Sequence, residues 1–385
     1  MNRHLVERPA IERRILSSLD AGRIPVLLGG CGTGRTSLLL RVTRLTRPAS
    51  QYIDLAAVAT TPERCLAAIA GVTGSSAFPA TPPASPDGNS SRAAFDALMA
   101  GFDQALGPQG QPMVFALDEF QDLRTFENFP GLRHVQRDLI ARLAESPNRF
   151  VLASRFTSRA HRLLRDAPAR FEVIHLPTLD ISEIEGLARA RDGRENWSRK
   201  VAPAVHALSA GRVAYASALI EAMAGSALNE AETALADLFA PDGRITAMCR
   251  YSYEFRLHRA RGYGALKAIL SVLAGEEPLT LTDIAHRLHR TPGSTKDYLS
   301  WLEDVDVLSV TRKRYTIEDP LVRLFVRLYT GCTPPTHDDV VREVRAFAKT
   351  RELSPALAPT PPTTRTESVM VPADSPRDSG IIEID

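Results

Sequence analysis

The stretch IPVLLGGCGTGRTSLLLRV, beginning at residue 24, limits the fold more than any other part of this 385-residue chain. A short apolar run reads as a buried strand, and the apolar spacing after residue 35 reads as a helix. Between them, Gly29, Gly32 and Gly34 give the backbone the freedom to turn sharply. A glycine-rich turn leading from a strand into a helix points backbone N–H groups at one place, which suits phosphate oxygens. The usual pattern is Gly, four residues, Gly, Lys, then Ser or Thr. Gly29, Gly34 and Thr36 fit it, and Arg35 stands where the lysine is expected. The candidate phosphate ligands are Gly29, Gly30, Cys31, Gly32, Thr33, Gly34, Arg35, Thr36 and Ser37, with ATP as the expected nucleotide.

Further strand patterns follow at 51–55, at 112–120 (PMVFALDEF), at 149–155 (RFVLASR) and at 171–176. Helical spacing lies before and between them, at 9–20, 62–71 and 91–106. Strands alternating with helices predict an α/β core over 1–179, built on a parallel sheet. Residues 73–91, rich in Pro, Ser and Gly, are expected to form a flexible surface insertion. Consecutive helices over 180–262 predict a helical lid. Residues 263–330 show three helices and a hairpin with the basic tip RKR, which predicts a winged helix. A C-terminal helix is expected over 331–352 and a disordered tail over 353–385.

A net charge of +2 gives no bulk attraction to nucleic acid or membrane. The four cysteines show no metal spacing and the nine histidines no ligand spacing, so a reducing cytoplasm is expected. The charged N-terminus lacks the apolar run of a signal peptide, and no membrane span is expected.

Asp118 and Glu119 end the third strand pattern. Thr36 and Asp118 are the expected Mg²⁺ ligands, and Glu119 is placed to orient or deprotonate an attacking water. Ser154, at the end of the next strand, is a candidate to reach that water or the terminal phosphate. Arg155, Arg159, Arg162, Arg165 and Arg170 cluster beyond it. Arg170, at the edge of the sheet, is the first choice for an arginine acting on a neighbouring subunit. Arg212, at the start of a lid helix, is placed to reach the nucleotide. Arg35 keeps a cation at the loop, but its planar fork differs from a compact ammonium that can follow shifting charge. Nucleotide binding with slow or partner-stimulated hydrolysis is expected.

Taken together, ERPAIERRILSSLDAGRIPVLLGGCGTGRTSLLLRV, ALDEFQDL, VLASR and the C-terminal LTDIAHRL, YLSWLEDVDVLSV and YTIEDPLVRLFVRL resemble AAA+-related ATPases with a C-terminal winged helix. The groups it is similar to are archaeal-type ATPases of the STAND-like branch and the origin-initiator and transposition-regulator ATPases. The resemblance covers about residues 3 to 330. It implies ATP at the loop, Mg²⁺ near Thr36 and Asp118, a water-activating Glu119, a sensor arginine at Arg212 and a finger arginine at Arg170. It also implies nucleotide-dependent homo-oligomers.

The winged helix leaves two partners open. Ser294, Thr295 and Lys296 on the candidate recognition helix, with Arg312, Lys313 and Arg314 at the wing tip, suit double-stranded DNA. Asp297, Glu303, Asp304 and Asp306 oppose an anion and leave room for a protein partner. The upstream arginines 244, 250, 256, 259 and 261 read as a basic helical surface.

Overall fold

A computed structural model describes residues 7–81, 89–224, 230–257, 262–331 and 333–352. Helix α1 (Pro9–Asp20) precedes strand β1 (Ile24–Leu28), whose five residues are all buried. Helix α2 (Arg35–Leu45) leads to β2 (Ser50–Asp54), and α3 (Leu55–Val58), α4 (Pro62–Thr73) and α5 (Ser90–Gln104) lead to β3 (Val114–Asp118). A 3-10 helix over Phe120–Asn128 and α6 (Val135–Glu145) connect to β4 (Arg149–Ser154). Helix α7 (Thr157–Leu164) connects to β5 (Phe171–His175).

The five strands form one parallel sheet in the order β2-β3-β4-β1-β5. Both faces are covered, as continuous apolar strands require. Ile15, Leu19, Leu38, Leu39 and Val42 pack on one face, and Leu66, Phe95, Phe102, Leu139 and Leu143 on the other. The register aligns Leu28 with Ser154 and His175, and Asp54 with Asp118. The carboxyl ends of the strands therefore share one edge, the place where open α/β sheets position ligands.

The proline-rich stretch is tied down in part. Phe78, only 3% exposed, meets the Phe102 ring edge-on at 5.4 Å, so this portion is pinned to the core instead of lying free on the surface. Residues 82–88 and the expected tail, 353–385, lie outside the described residues.

The lid comprises α8 (Ile181–Asp192), α9 (Glu195–Ser209), α10 (Val213–Ala224), α11 (Ala231–Leu238) and α12 (Arg244–Leu257). Asp180 caps α8 in a reciprocal arrangement with Glu183. Then come α13 (Tyr263–Gly275), β6 (Leu279–Thr280), α14 (Leu281–Arg287), α15 (Pro292–Asp304), β7 (Leu308–Thr311), β8 (Arg314–Ile317) and α16 (Pro320–Tyr329). Three helices and a three-stranded antiparallel sheet, ordered β6-β8-β7, give the winged-helix arrangement with one strand more than the hairpin alone. The final helix, α17 (His337–Glu352), buries Val340, Val344 and Ala348. Lid, winged helix and α17 share one continuous apolar core. Among the described residues, no helix is long and apolar enough to cross a membrane.

Candidate nucleotide site

The glycine turn after β1 has the geometry that its composition suggested. Gly34, at φ +92°, is the residue before α2, and Gly32 sits at φ +78°. A Cβ on Gly30 would lie 2.9 Å from Arg212 Nη1, so the loop and the lid approach each other closely here. Thr33 braces the turn by donating to the Gly30 carbonyl at 2.9 Å.

Thr36 donates its hydroxyl to Asp118 Oδ2 at 2.6 Å, joining the start of α2 to the end of β3. Tyr52 donates to the same oxygen at 3.1 Å. Burial, reinforced by adjacent Glu119, pushes the Asp118 carboxyl above its ordinary value, although Thr36, Arg35 and Tyr52 act against that rise. A divalent cation would relieve the cost of a buried carboxylate here, so the donor set of Thr36 and Asp118 fits Mg²⁺.

Glu119 adopts φ +52°, a left-handed conformation uncommon outside glycine. Its N–H donates to Asp118 Oδ1 at 3.1 Å. Strain of this kind turns the carboxylate back over the sheet edge, where two arginines hold it. Arg35 Nη2 lies 2.6 Å from Oε1, and the Arg155 backbone N–H and Nε each lie 3.0 Å from Oε2.

Arg35 is 7% exposed and folds back over the loop. Its Nη1 donates to the Gly29 carbonyl and, at 2.7 Å, to the Gly30 carbonyl. The residue in the lysine position thus bridges the loop to Glu119, and the Arg35 Nε is buried with no partner among the described residues.

Sequence reasoning grouped Arg155 with the arginine cluster but gave it no role beside Glu119. It pairs with Asp122 at 2.8 Å as well as with Glu119, and its guanidinium sits 4.5 Å from the Phe255 ring centre. Burial disfavours its charge, but Glu119 and Asp122 outweigh that and raise its pKa above the ordinary arginine value. Ser154 faces away from Glu119. Its hydroxyl donates to Gln121 Oε1 at 3.2 Å and accepts from the Phe156 N–H at 3.1 Å, tethering the strand end instead of reaching a phosphate. The pleat of β4 puts these two neighbours to different uses.

Arg170 precedes β5, at the amino edge of the parallel sheet and away from this chain's own loop. There it donates to the carbonyls of Gly22, Ala144 and Ser146, fastening three backbone segments. Arg212 lies against the loop, donating Nη1 to the Cys31 carbonyl at 3.0 Å and pairing with Asp319 of α16 at 3.4 Å. Burial acts against its charge, and Asp319 reverses the effect and raises its pKa.

Cys31 lies among guanidiniums. Burial alone would raise its thiol, but Arg256, Arg35, a hydrogen bond from Ser252 and Arg155 together leave it below the ordinary value. Arg256 does not belong to an exposed basic surface as the sequence suggested, since it is 7% exposed. His161 and His175 meet at 3.0 Å through their Nε2 atoms. No group of three or more metal-ligating side chains occurs among the described residues.

In the winged helix, Ser294, Lys296, Arg312, Lys313 and Arg314 are exposed. Thr295 is fully buried and donates to the Thr291 carbonyl at 3.0 Å, which removes it from any nucleic-acid surface. Arg312 and Lys313 both have positive φ and form the two-residue tip of the β7–β8 hairpin. Two of the four acidic residues engage α7. Asp304 pairs with Arg162 of α7 at 3.2 Å, and Asp306 accepts from the Ser158 N–H and hydroxyl at 3.2 and 2.7 Å. Its acidic edge thus faces the ATPase-like core, and the wing tip faces outward.

No protein-family profile and no curated protein matches the sequence. Among solved structures, the Walker-type ATPase of Pyrococcus abyssi matches with a TM-score of 0.60 and 16% identity, over 84% of this chain and 96% of that one. Orc1 of Aeropyrum pernix, solved in complex with DNA, matches at 0.46 and 16%, over 90% and 94%. The RuvB branch-migration motor of Thermotoga maritima matches at 0.39 and 12%, over 81% and 92%. The first of these shows that the chain has the fold of a Walker-type, P-loop ATPase.

Proposed function

We propose that this chain is an ATP-binding, AAA+-like ATPase with slow or partner-stimulated turnover, whose winged helix contacts double-stranded DNA under the control of the nucleotide. The observation that carries the nucleotide reading is the Thr36–Asp118 bond at 2.6 Å beneath a loop in which Gly32 and Gly34 hold positive φ. Residues 29–37 would cradle the phosphates through backbone N–H groups, with Arg35 and Arg212 supplying charge. Thr36 and Asp118 would hold Mg²⁺, which neutralises developing phosphate charge. Slow turnover follows from Glu119, since each of its oxygens is already bound by an arginine and neither is free to take a proton from water.

The DNA reading is supported by the separation of charge in the winged helix. Asp304 and Asp306 are spent on α7, which leaves Asp297 as the exposed acid beside Lys296 on the recognition helix. The same contacts favour a second reading, a switch that exposes a protein-binding face when α7 and the winged helix part. Equilibrium binding of ATPγS with Mg²⁺, followed by binding of a labelled duplex with and without it, tests both. Duplex affinity that responds to ATPγS supports the first reading. ATPγS binding with no duplex affinity selects the second, and failure to bind ATPγS sinks both.

A further inference from the structure

We infer that Arg256, in the last turn of α12, is a ligand for the terminal phosphate of the bound nucleoside triphosphate, and that engaging this phosphate loosens the winged helix from α7. The inference rests on the nucleotide site proposed above and extends it to a residue of the lid.

Four buried arginines surround the phosphate loop. Arg35 pairs with Glu119, Arg155 with Glu119 and Asp122, and Arg212 with Asp319. Arg256 has no carboxylate within ion-pair distance among the described residues. Its Nη2 lies 3.5 Å from Cys31 Sγ, its Nη1 donates to the Asp306 carbonyl at 2.7 Å, and its buried Nε has no partner. A thiol is a weak acceptor, and a buried cation without an anion is costly. The site thus holds one guanidinium with no ion-paired carboxylate, on which the Asp306 carboxylate acts only at longer range. Its positive field also shows in the lowered thiol pKa of Cys31.

Its position suits a terminal phosphate. Arg256 is the wall between two cavities. One, of about 460 Å³, is bordered by Gly29, Gly30, Thr33 and Arg212. The other, of about 580 Å³, is bordered by Gln121 and Asp122 beyond the end of β3. Phosphates laid along the loop toward Glu119 approach this wall with their last group. A guanidinium grips a phosphate through two parallel N–H donors. Nη1 donates to the Asp306 carbonyl, so an end-on grip on phosphate through Nη1 and Nη2 together draws Arg256 off that carbonyl. Asp306 is the residue whose carboxylate holds Ser158 at the start of α7. A triphosphate therefore competes with the winged-helix contact, whereas a diphosphate ends short of Arg256 and leaves it in place.

The test compares the full chain with Arg256→Gln and Arg256→Lys, reading the affinities of ATPγS and ADP with Mg²⁺ and amide hydrogen exchange at residues 157–159 and 303–307. The natural chain is expected to prefer ATPγS by about tenfold or more, and ATPγS alone should speed exchange in both segments. Arg256→Gln should keep ADP affinity within about threefold, lose the preference for ATPγS and abolish the exchange response. Arg256→Lys, which keeps the charge without the fork, should fall between the two and carries the comparison if the glutamine variant unfolds. An unchanged ATPγS-to-ADP ratio in both variants overturns the inference and makes Arg256 a structural strut. A natural chain that binds neither nucleotide overturns the nucleotide site itself.

Discussion

Replacing Arg35 with lysine separates what this residue does for binding from what it does to chemistry. The Arg35 guanidinium bridges the Gly29 and Gly30 carbonyls to Glu119. All three bonds have a charged donor and contribute about 1.5–3 kcal/mol each. Freeing the fork from all three acceptors therefore costs about 4.5–9 kcal/mol, which contacts to phosphate must offset. An ammonium cannot span both carbonyls and Glu119 at once, so Arg35→Lys releases one side of the bridge. If freeing the Glu119 Oε1 recovers even about 1.4 kcal/mol of transition-state stabilisation, turnover rises about tenfold. The lost contacts cost about 1.5–3 kcal/mol of stability and lower Tm. Single-turnover hydrolysis with protein in excess over radiolabelled ATP reads the chemical step without interference from affinity. Hydrolysis faster than in the natural chain, with ATP affinity little changed, is the expected result. A slower Arg35→Lys refutes the reasoning, because the cradle is then shaped around arginine. Arg35→Ala should lose ATP binding and turnover together; tight binding by that variant would show that the residue never touches phosphate.

Glu119→Gln should retain ATP binding and hydrolyse at least about tenfold more slowly, as expected for loss of a general base; unchanged turnover removes Glu119 from the mechanism. Replacing Arg312, Lys313 and Arg314 together with alanine should weaken duplex binding regardless of sequence and flatten the salt slope by up to about 2.7, roughly 0.9 per lost phosphate contact. An equal slope moves the winged helix to the protein-contact reading. Cys31 should alkylate with iodoacetamide at neutral pH faster than Cys65, whose thiol burial pushes up to about 12, and faster than Cys249, also raised by burial. Site-resolved mass spectrometry checks the order, and ATPγS should slow the reaction at Cys31 alone. Magnesium affinity should fall as pH drops toward the acidic range, earlier than an ordinary aspartate dictates, because the Asp118 pKa is raised and protonation removes its charge. Titration of Mg²⁺ binding against pH, with Asp118→Asn as the flat reference, checks this.

The glycine turn and the acidic end of β3 were legible because each interrupts an apolar run, and such interruptions are local. What sequence could not resolve depends on direction. Ser154 and Arg155 are neighbours, and which one meets Glu119 is decided by the pleat and by the turn into α7. Arg256 sits among several arginines on a helix whose inward side is fixed by its packing against α10, α11 and α16. Thr295 reads as a polar residue on a recognition helix, yet it lies four positions before Leu299 and turns inward with it. The place of Arg170 at the amino edge follows from parallel topology alone, but its three backbone acceptors depend on how the chain turns there.

The continuous apolar core of the C-terminal half bears on how this chain can be divided. The composition shift near residue 262 suggests a seam, but Ile245, Tyr253, Leu266, Leu270 and Phe325 are packed into one interior across it. A cut there would bare half of that interior on each fragment, and both pieces would be prone to aggregate. Hydrogen bonding marks a better place. The Leu176 N–H donates to Leu28 of the sheet, and the Leu179 N–H donates to Gly211 of the lid. Between those two residues the backbone passes from one body to the other, so the smallest C-terminal fragment able to fold alone should begin near residue 178 and carry lid, wing and final helix together.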